Sequence, residues 1–216
     1  MKLIVALLLL SLCFSCQQSK TDSKTTIGIL PYSNFNRTEI DSVKRVLELT
    51  YGFEVIILNP VDLPKQAFTT IRSSRYRADS LLRFESRFIP DSISIIIGLI
   101  NKDISTTKYD SKTGEIKSPK NRYVDWGIFG LGQVGGTSCV VSTYRLKAKV
   151  SKSKFYTRLK RIATHEVGHV LGLPHCLSLK CVMNDANESI KTIDKSSGKL
   201  CEICKVRINS SPSTHQ

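Results

Sequence analysis

Of the four histidines in this chain of 216 residues, three fall between positions 165 and 175. They stand in the string His165-Glu166-Val167-Gly168-His169-Val170-Leu171-Gly172-Leu173-Pro174-His175. Residues four apart share one face of a helix, so His165 and His169 can present two imidazoles to one cation. Glu166 is offset by about 100° on the same turn. It can reach a water on that cation without being a ligand itself. Gly172 permits a positive φ and a sharp exit from the helix, and Leu173-Pro174 then carries the chain to His175. Three neutral imidazoles plus one water form the open tetrahedral arrangement that catalytic zinc requires. A zinc there with Glu166 as base points to metal-assisted hydrolysis. The plainer alternative is a helix whose histidines only cap or pack, and a third histidine at Gly-x-x-His spacing argues against it.

Seven cysteines are present, and four of them (Cys176, Cys181, Cys201 and Cys204) follow directly on the histidines. Four thiolates in two pairs suit a closed tetrahedral zinc site. Such a site would also hold a segment poor in large apolar side chains, because the binding energy of a structural zinc is folding energy. Disulfides are a rival in an exported protein, and Cys201-x-x-Cys204 alone could be a redox pair. Zinc content separates these readings: two ions per chain for the metal site, one for either rival.

From His165 to Cys204 the string resembles the archaemetzincin family. Its pattern runs His-Glu-x-x-His-x-x-Gly-x-x-His-Cys, four residues, Cys-x-Met, 17 residues, Cys-x-x-Cys, and every fixed position is matched here. The resemblance implies a metzincin-type zinc metallopeptidase, with a catalytic zinc on His165, His169 and His175 and with Glu166 as general base. It also implies a second, structural zinc on Cys176, Cys181, Cys201 and Cys204, and a packing role for Met183 beneath the catalytic site. Upstream, Phe129-Gly130 and Val140 to Leu146 look like the family's segment before the active-site helix. By that analogy, Cys139 to Tyr144 is expected to be a sheet-edge strand that pairs with extended substrate.

The elements that must position these residues can be read from hydrophobic periodicity. Thr26 to Leu30 reads as a first strand, and Thr38 to Tyr51 as a helix with Thr38 as N-cap. Phe53 to Leu58 and Ile93 to Ile100 read as strands on either side of a helix from Ser73 or Ser74 to Phe88. Strand, helix, strand, helix, strand predicts an α/β (α+β) fold with a mixed, largely parallel sheet. Asn101 to Tyr123 reads as a long surface loop, and the glycine-rich Trp126 to Gly136 as a turn-rich connector. Ser151 to Leu173 is the active-site helix. Beyond it regular patterning fades into a small zinc-stapled C-terminal part, 173–209, that completes a single domain over 27–209, ahead of a frayed tail at 210–216.

Residues 1–15 have the layout of a removable export signal, one positive charge and a short apolar core. Ser15-Cys16 followed by polar residues resembles a bacterial lipoprotein processing site, with cleavage before Cys16 and 16–26 as a flexible tether. Cleavage before Cys13, or an ordinary signal without lipid, are the other readings. The expected setting is an exported, membrane-anchored lipoprotein. The net charge of +14 invites anionic partners, but Lys and Arg are scattered and form no dense run, which argues against nucleic acid. A monomer acting on peptide or protein substrates is expected, with a non-catalytic zinc module and a hydrolase of non-peptide amides as rivals.

Overall fold

The computed structural model describes residues 25–185 and 189–210. The export signal, the lipoprotein site, nearly all of the tether, and the tail beyond Ser210 lie outside the described residues.

A central sheet organises the chain. β1 (Thr26–Pro31) leads to α1 (Arg37–Tyr51) and β2 (Glu54–Ile57). β3 (Phe68–Thr69), β4 (Arg75–Arg77) and α2 (Ala78–Glu85) precede β5 (Ile95–Ile100). Then come β6 (Ile104–Thr106), the short α3 (Lys120–Tyr123), β7 (Trp126–Ile128), β8 (Gly130–Gly132) and β9 (Ser138–Ser142). The long α4 (Lys152–Val170) is followed by α5 (Ile190–Lys195) and α6 (Glu202–Ser210).

The main sheet has the order β2-β1-β5-β9-β8, in which only β8 runs antiparallel to its neighbour. This is the mixed, largely parallel sheet the sequence predicts. Both faces are covered, so the run Ile95–Ile100 is aliphatic almost throughout. Ile95, Ile97 and Leu99 pack towards α1 and α4, whereas Ile96 and Ile100 pack towards α2. Gly98 stands where a Cβ would lie 2.0 Å from the Glu85 carboxyl. Glu85 accepts a 3.0 Å bond from Tyr32 there, and burial pushes its carboxyl well up.

Four expectations are corrected. The N-cap of α1 is Asn36, whose side chain accepts from the Glu39 amide at 3.1 Å, and Thr38 lies inside the helix. The second helix starts at Ala78 because Arg75–Arg77 pairs with β6 instead. Arg75 lies 3.5 and 3.7 Å from Asp103 and Asp125, and Asp125 is fully buried. An unpaired buried carboxylate is costly, so these partners fix the segment as a strand. The supposed surface loop 101–123 contains β6, whose Ile104 and Ser105 are fully buried. β6 belongs to a second sheet of order β3-β4-β6-β7.

The fourth correction concerns the sheet edge. Cys139–Ser142 lies between β5 and β8 and is fully buried, so it is an interior strand. The edge is β8, drawn from the glycine-rich stretch expected to be a connector.

Candidate functional site

Ser151 caps α4, its side chain accepting from the Lys154 amide at 3.2 Å. The last turns of this helix are buried from Ile162 to Val170. Val167, Ala163 and Val170 enter the core beneath the sheet, which leaves His165 and His169 on the face towards a cleft. Gly172, at φ +87°, turns the chain out of the helix as expected. The Leu173 amide then bonds the Gly168 carbonyl at 2.9 Å, and Pro174 delivers His175. The three rings converge, with centroids 4.6, 5.4 and 4.8 Å apart, and their nitrogen ligand atoms all lie within 4.8 Å of one another. His165 and His169 are buried, whereas His175 is half-exposed and stands 3.9 Å from Asp185.

Hydrogen bonding fixes which nitrogens face the centre. His165 Nδ1 donates to the Val182 carbonyl and His169 Nδ1 to the Leu173 carbonyl, each at 2.8 Å. A carbonyl can only accept, so in the neutral rings both Nε2 atoms carry lone pairs. Those two atoms face each other at 3.0 Å. Lone pairs so placed repel unless a cation stands between them, and two nitrogens on one tetrahedral zinc sit about 3.3 Å apart. Burial, and then the neighbouring His169, bring His165 down to about 4. Burial also lowers His169. Both rings are therefore neutral at pH 7, the form that ligates metal.

Glu166 opens into the same cleft, a cavity of about 450 Å³ walled by Trp126–Gly132 on one side and the three histidines on the other. Burial pushes its carboxyl up to about 8, offset in part by a hydrogen bond from the Gly132 amide and by the charge of Lys108. β8 lies against it so closely that a Cβ on Gly130 would be 2.7 Å from Glu166 Oε1, and one on Gly132 2.5 Å from the Glu166 carbonyl oxygen. The glycine run is thus the strip on which the carboxylate rests. The sequence reading missed this role; the only signal was the clustering of glycines just ahead of the histidine helix.

Below the histidines the chain returns at 181–184. Met183 is fully buried, and a Cβ on Gly168 would meet its sulfur at 2.4 Å. The Cys176 amide bonds the Met183 carbonyl at 2.8 Å, and the Asn184 amide group bonds the Cys176 carbonyl at 2.9 Å. One short segment therefore supplies the carbonyl that orients His165, the sulfur packed beneath α4, and the anchor for the turn that carries His175.

The cysteine cluster lies beyond this segment. Cys176, Cys181, Cys201 and Cys204 converge, with Sγ atoms of the pairs 176–201 and 181–204 at 3.7 and 3.8 Å. A disulfide requires about 2.05 Å, and all four thiols are free. Sulfurs on a tetrahedral zinc, each about 2.3 Å from it, sit about 3.8 Å apart. The sulfur spacing fits zinc and excludes the disulfide reading in this structure.

A model of peptidase family M54 matches residues 26–210. The chain belongs to that family. It is 31% identical over 167 residues to the archaemetzincin of Halobacterium salinarum, covering 74% of this chain and 85% of that one. The archaemetzincin of Saccharolobus solfataricus is 31% identical over 195 residues, covering 87% and 94%. Among solved structures, the archaemetzincin of Archaeoglobus fulgidus superposes with a TM-score of 0.64 at 27% identity, covering 85% of this chain and 99% of the other. The archaemetzincin of Methanopyrus kandleri gives 0.68 at 22% identity, covering 88% and 96%, which speaks for the fold. Membership of the M54 family implies a zinc-dependent peptidase, and the resemblance read from His165 to Cys204 is established over nearly the whole described chain.

Proposed function

We propose that this M54 peptidase is of the metzincin type and uses two zinc ions with divided roles. His165, His169 and His175 would hold the catalytic one, and Cys176, Cys181, Cys201 and Cys204 a structural one. The observation that carries the reading is the pair of Nε2 lone pairs facing at 3.0 Å beside a buried carboxylate in one cavity. A zinc bound by the histidines would supply Lewis acidity to a water and to the scissile carbonyl.

Glu166 takes the proton from the attacking water and passes it to the leaving amine. The backbone groups of Phe129 and Leu131 face β9, as the bond from the Ser142 amide to the Phe129 carbonyl fixes the alternation. Gly130 therefore turns its amide and carbonyl to the open edge, where an extended peptide can pair with it. Substrate pairing thus passes from the interior strand β9 to β8.

The test is digestion of a peptide library by purified protein, read by mass spectrometry, with and without a chelator, alongside zinc counting. Cleavage that a chelator abolishes, with two zincs per chain, is expected. Cleavage indifferent to chelation, or a chain that holds one zinc when fully active, would overturn the reading. The export and lipid-anchor reading of residues 1–16 is part of the same proposal. Palmitate labelling that survives Cys16→Ala would remove it.

A further inference from the structure

A second cavity, of about 580 Å³, lies away from the cleft, between α1, α4, α6 and the turn 197–200. Its lining joins apolar side chains (Val46, Leu49, Leu200 and Ile208) with Lys160, Arg161, Lys199 and Lys205, and among the described residues no Asp or Glu lines it. Lys205 is paired with Glu202 at 2.7 Å. Lys160 and Lys199 are exposed, and among the described residues neither ammonium has a salt-bridge or hydrogen-bond partner. Arg161 commits Nη1 to the carbonyls of Ile193 and Asp194, at 2.9 and 3.0 Å, and its side chain is part of the cavity lining. Leu49 is 78% exposed over this surface. Like-charged groups crowded round an apolar hollow without a carboxylate repel one another, and an anion relieves that repulsion.

We propose that this cavity binds a small single-chain anionic amphiphile, a fatty carboxylate or an alkyl phosphate, with the head among Lys160, Arg161 and Lys199 and the chain against Val46, Leu200 and Ile208. The volume lies within the range of small-molecule pockets. Helices and one turn form the walls, so no strand edge is offered and an extended peptide could not dock by backbone pairing. Charge complementarity therefore selects the head group, and the apolar lining selects the tail. Arg161 also borders the cleft. It bonds the segment from which Thr192, Ile193 and Ser196 line the cleft, so an occupant would lie one side chain from the peptidase site.

Isothermal titration of the zinc-loaded, full-length protein with decanoate and decyl phosphate, both below their micelle concentrations, tests this. The cleft is blocked beforehand with a peptide hydroxamate, because a carboxylate could otherwise reach the histidine zinc. One-to-one binding of both amphiphiles is expected, with decanol and inorganic phosphate alone binding about tenfold more weakly or worse. The double substitution Lys160→Glu and Lys199→Glu should weaken binding by about tenfold or more while zinc content and peptide hydrolysis stay unchanged, which shows the variant is folded. Equal affinity in the double variant, no binding once the hydroxamate fills the cleft, or binding only to phosphatidylglycerol vesicles would overturn the proposal. Binding is read without turnover, so its failure and that of the peptidase reading are separate results.

Discussion

The histidine and cysteine clusters meet at consecutive residues, His175 and Cys176, yet they are built for opposite ends. The cysteine set is closed: four sulfurs at the spacing of a zinc tetrahedron, taken from a turn, a bridge and a helix that have little other core. The histidine set is open. His165 and His169, on the buried end of α4, are locked by backbone carbonyls, His175 is half-exposed, and a cavity of about 450 Å³ with a buried carboxylate stands in front. Four ligands and no cavity make a staple, whereas three ligands, a cavity and a base make a site that can act. The two are also mechanically joined, because Val182 and Met183, beside Cys181, orient His165 and underpin α4.

The largest expected effect would break that division. Cys204→Ser should remove one zinc and loosen 173–210, since structural zinc supplies about 10–16 kcal/mol in small zinc domains. Peptidase activity should fall with it, because Val182 and Met183 lose their support. Zinc counting, circular dichroism and peptide hydrolysis on one sample check this, and full activity with one zinc would show the sites to be independent. Glu166→Gln should do the reverse: both zincs retained and the fold intact, but turnover down by about 10²–10⁴. A variant that hydrolyses peptides at the normal rate would remove Glu166 from the chemistry.

Gly132→Ala tests the strip under the carboxylate. Its Cβ would lie 2.5 Å from backbone, so β8 must move, at a cost of about 1–3 kcal/mol and with a rise in KM for extended substrates. Unchanged melting temperature and KM would show the edge to be more pliant than the packing implies.

The smallest effect is a pH dependence in protein stripped of its histidine-site metal. Glu166 is raised from 4.5 to about 8, so the folded state holds a proton that the unfolded chain releases, and stability falls as pH rises through that interval. His165 is lowered from 6.5 to about 4, so its contribution rises with pH up to 6.5. Between pH 6.5 and 8 only the Glu166 contribution of this pair remains. The stripped wild-type protein should therefore lose about 1–2 kcal/mol across that window relative to stripped Glu166→Gln. Parallel melting curves for the two proteins would exclude it.

Much of the candidate site was legible because its residues are local in sequence. Helical periodicity alone puts His165 and His169 on one face, and a glycine at 172 alone permits the turn to His175. The central sheet was legible for a similar reason, as Ile93 to Ile100 carries a run that only a doubly covered strand tolerates. Arg75–Arg77 and Ile104–Thr106 were not legible as strands. They are three residues long, too short for a period to register; Arg75 is held by Asp103 and Asp125 from distant segments, and Ile104–Thr106 by pairing with β4 and β7.

The sequence by itself determined the types and spacing of the candidate ligands and the alternation of β1, α1, β2, α2 and β5 ahead of the histidine helix, since these follow from rules that act within a few residues. Which strand forms the edge was decided only in three dimensions. β8 and β9 are both short and both lie just ahead of α4, and nothing local says that Val140 and Val141 sit between two neighbours while Gly130 faces the cleft. The tertiary contact with Glu166 decides it, because only a strand without side chains at 130 and 132 can pass the carboxylate and the backbone of that residue so closely.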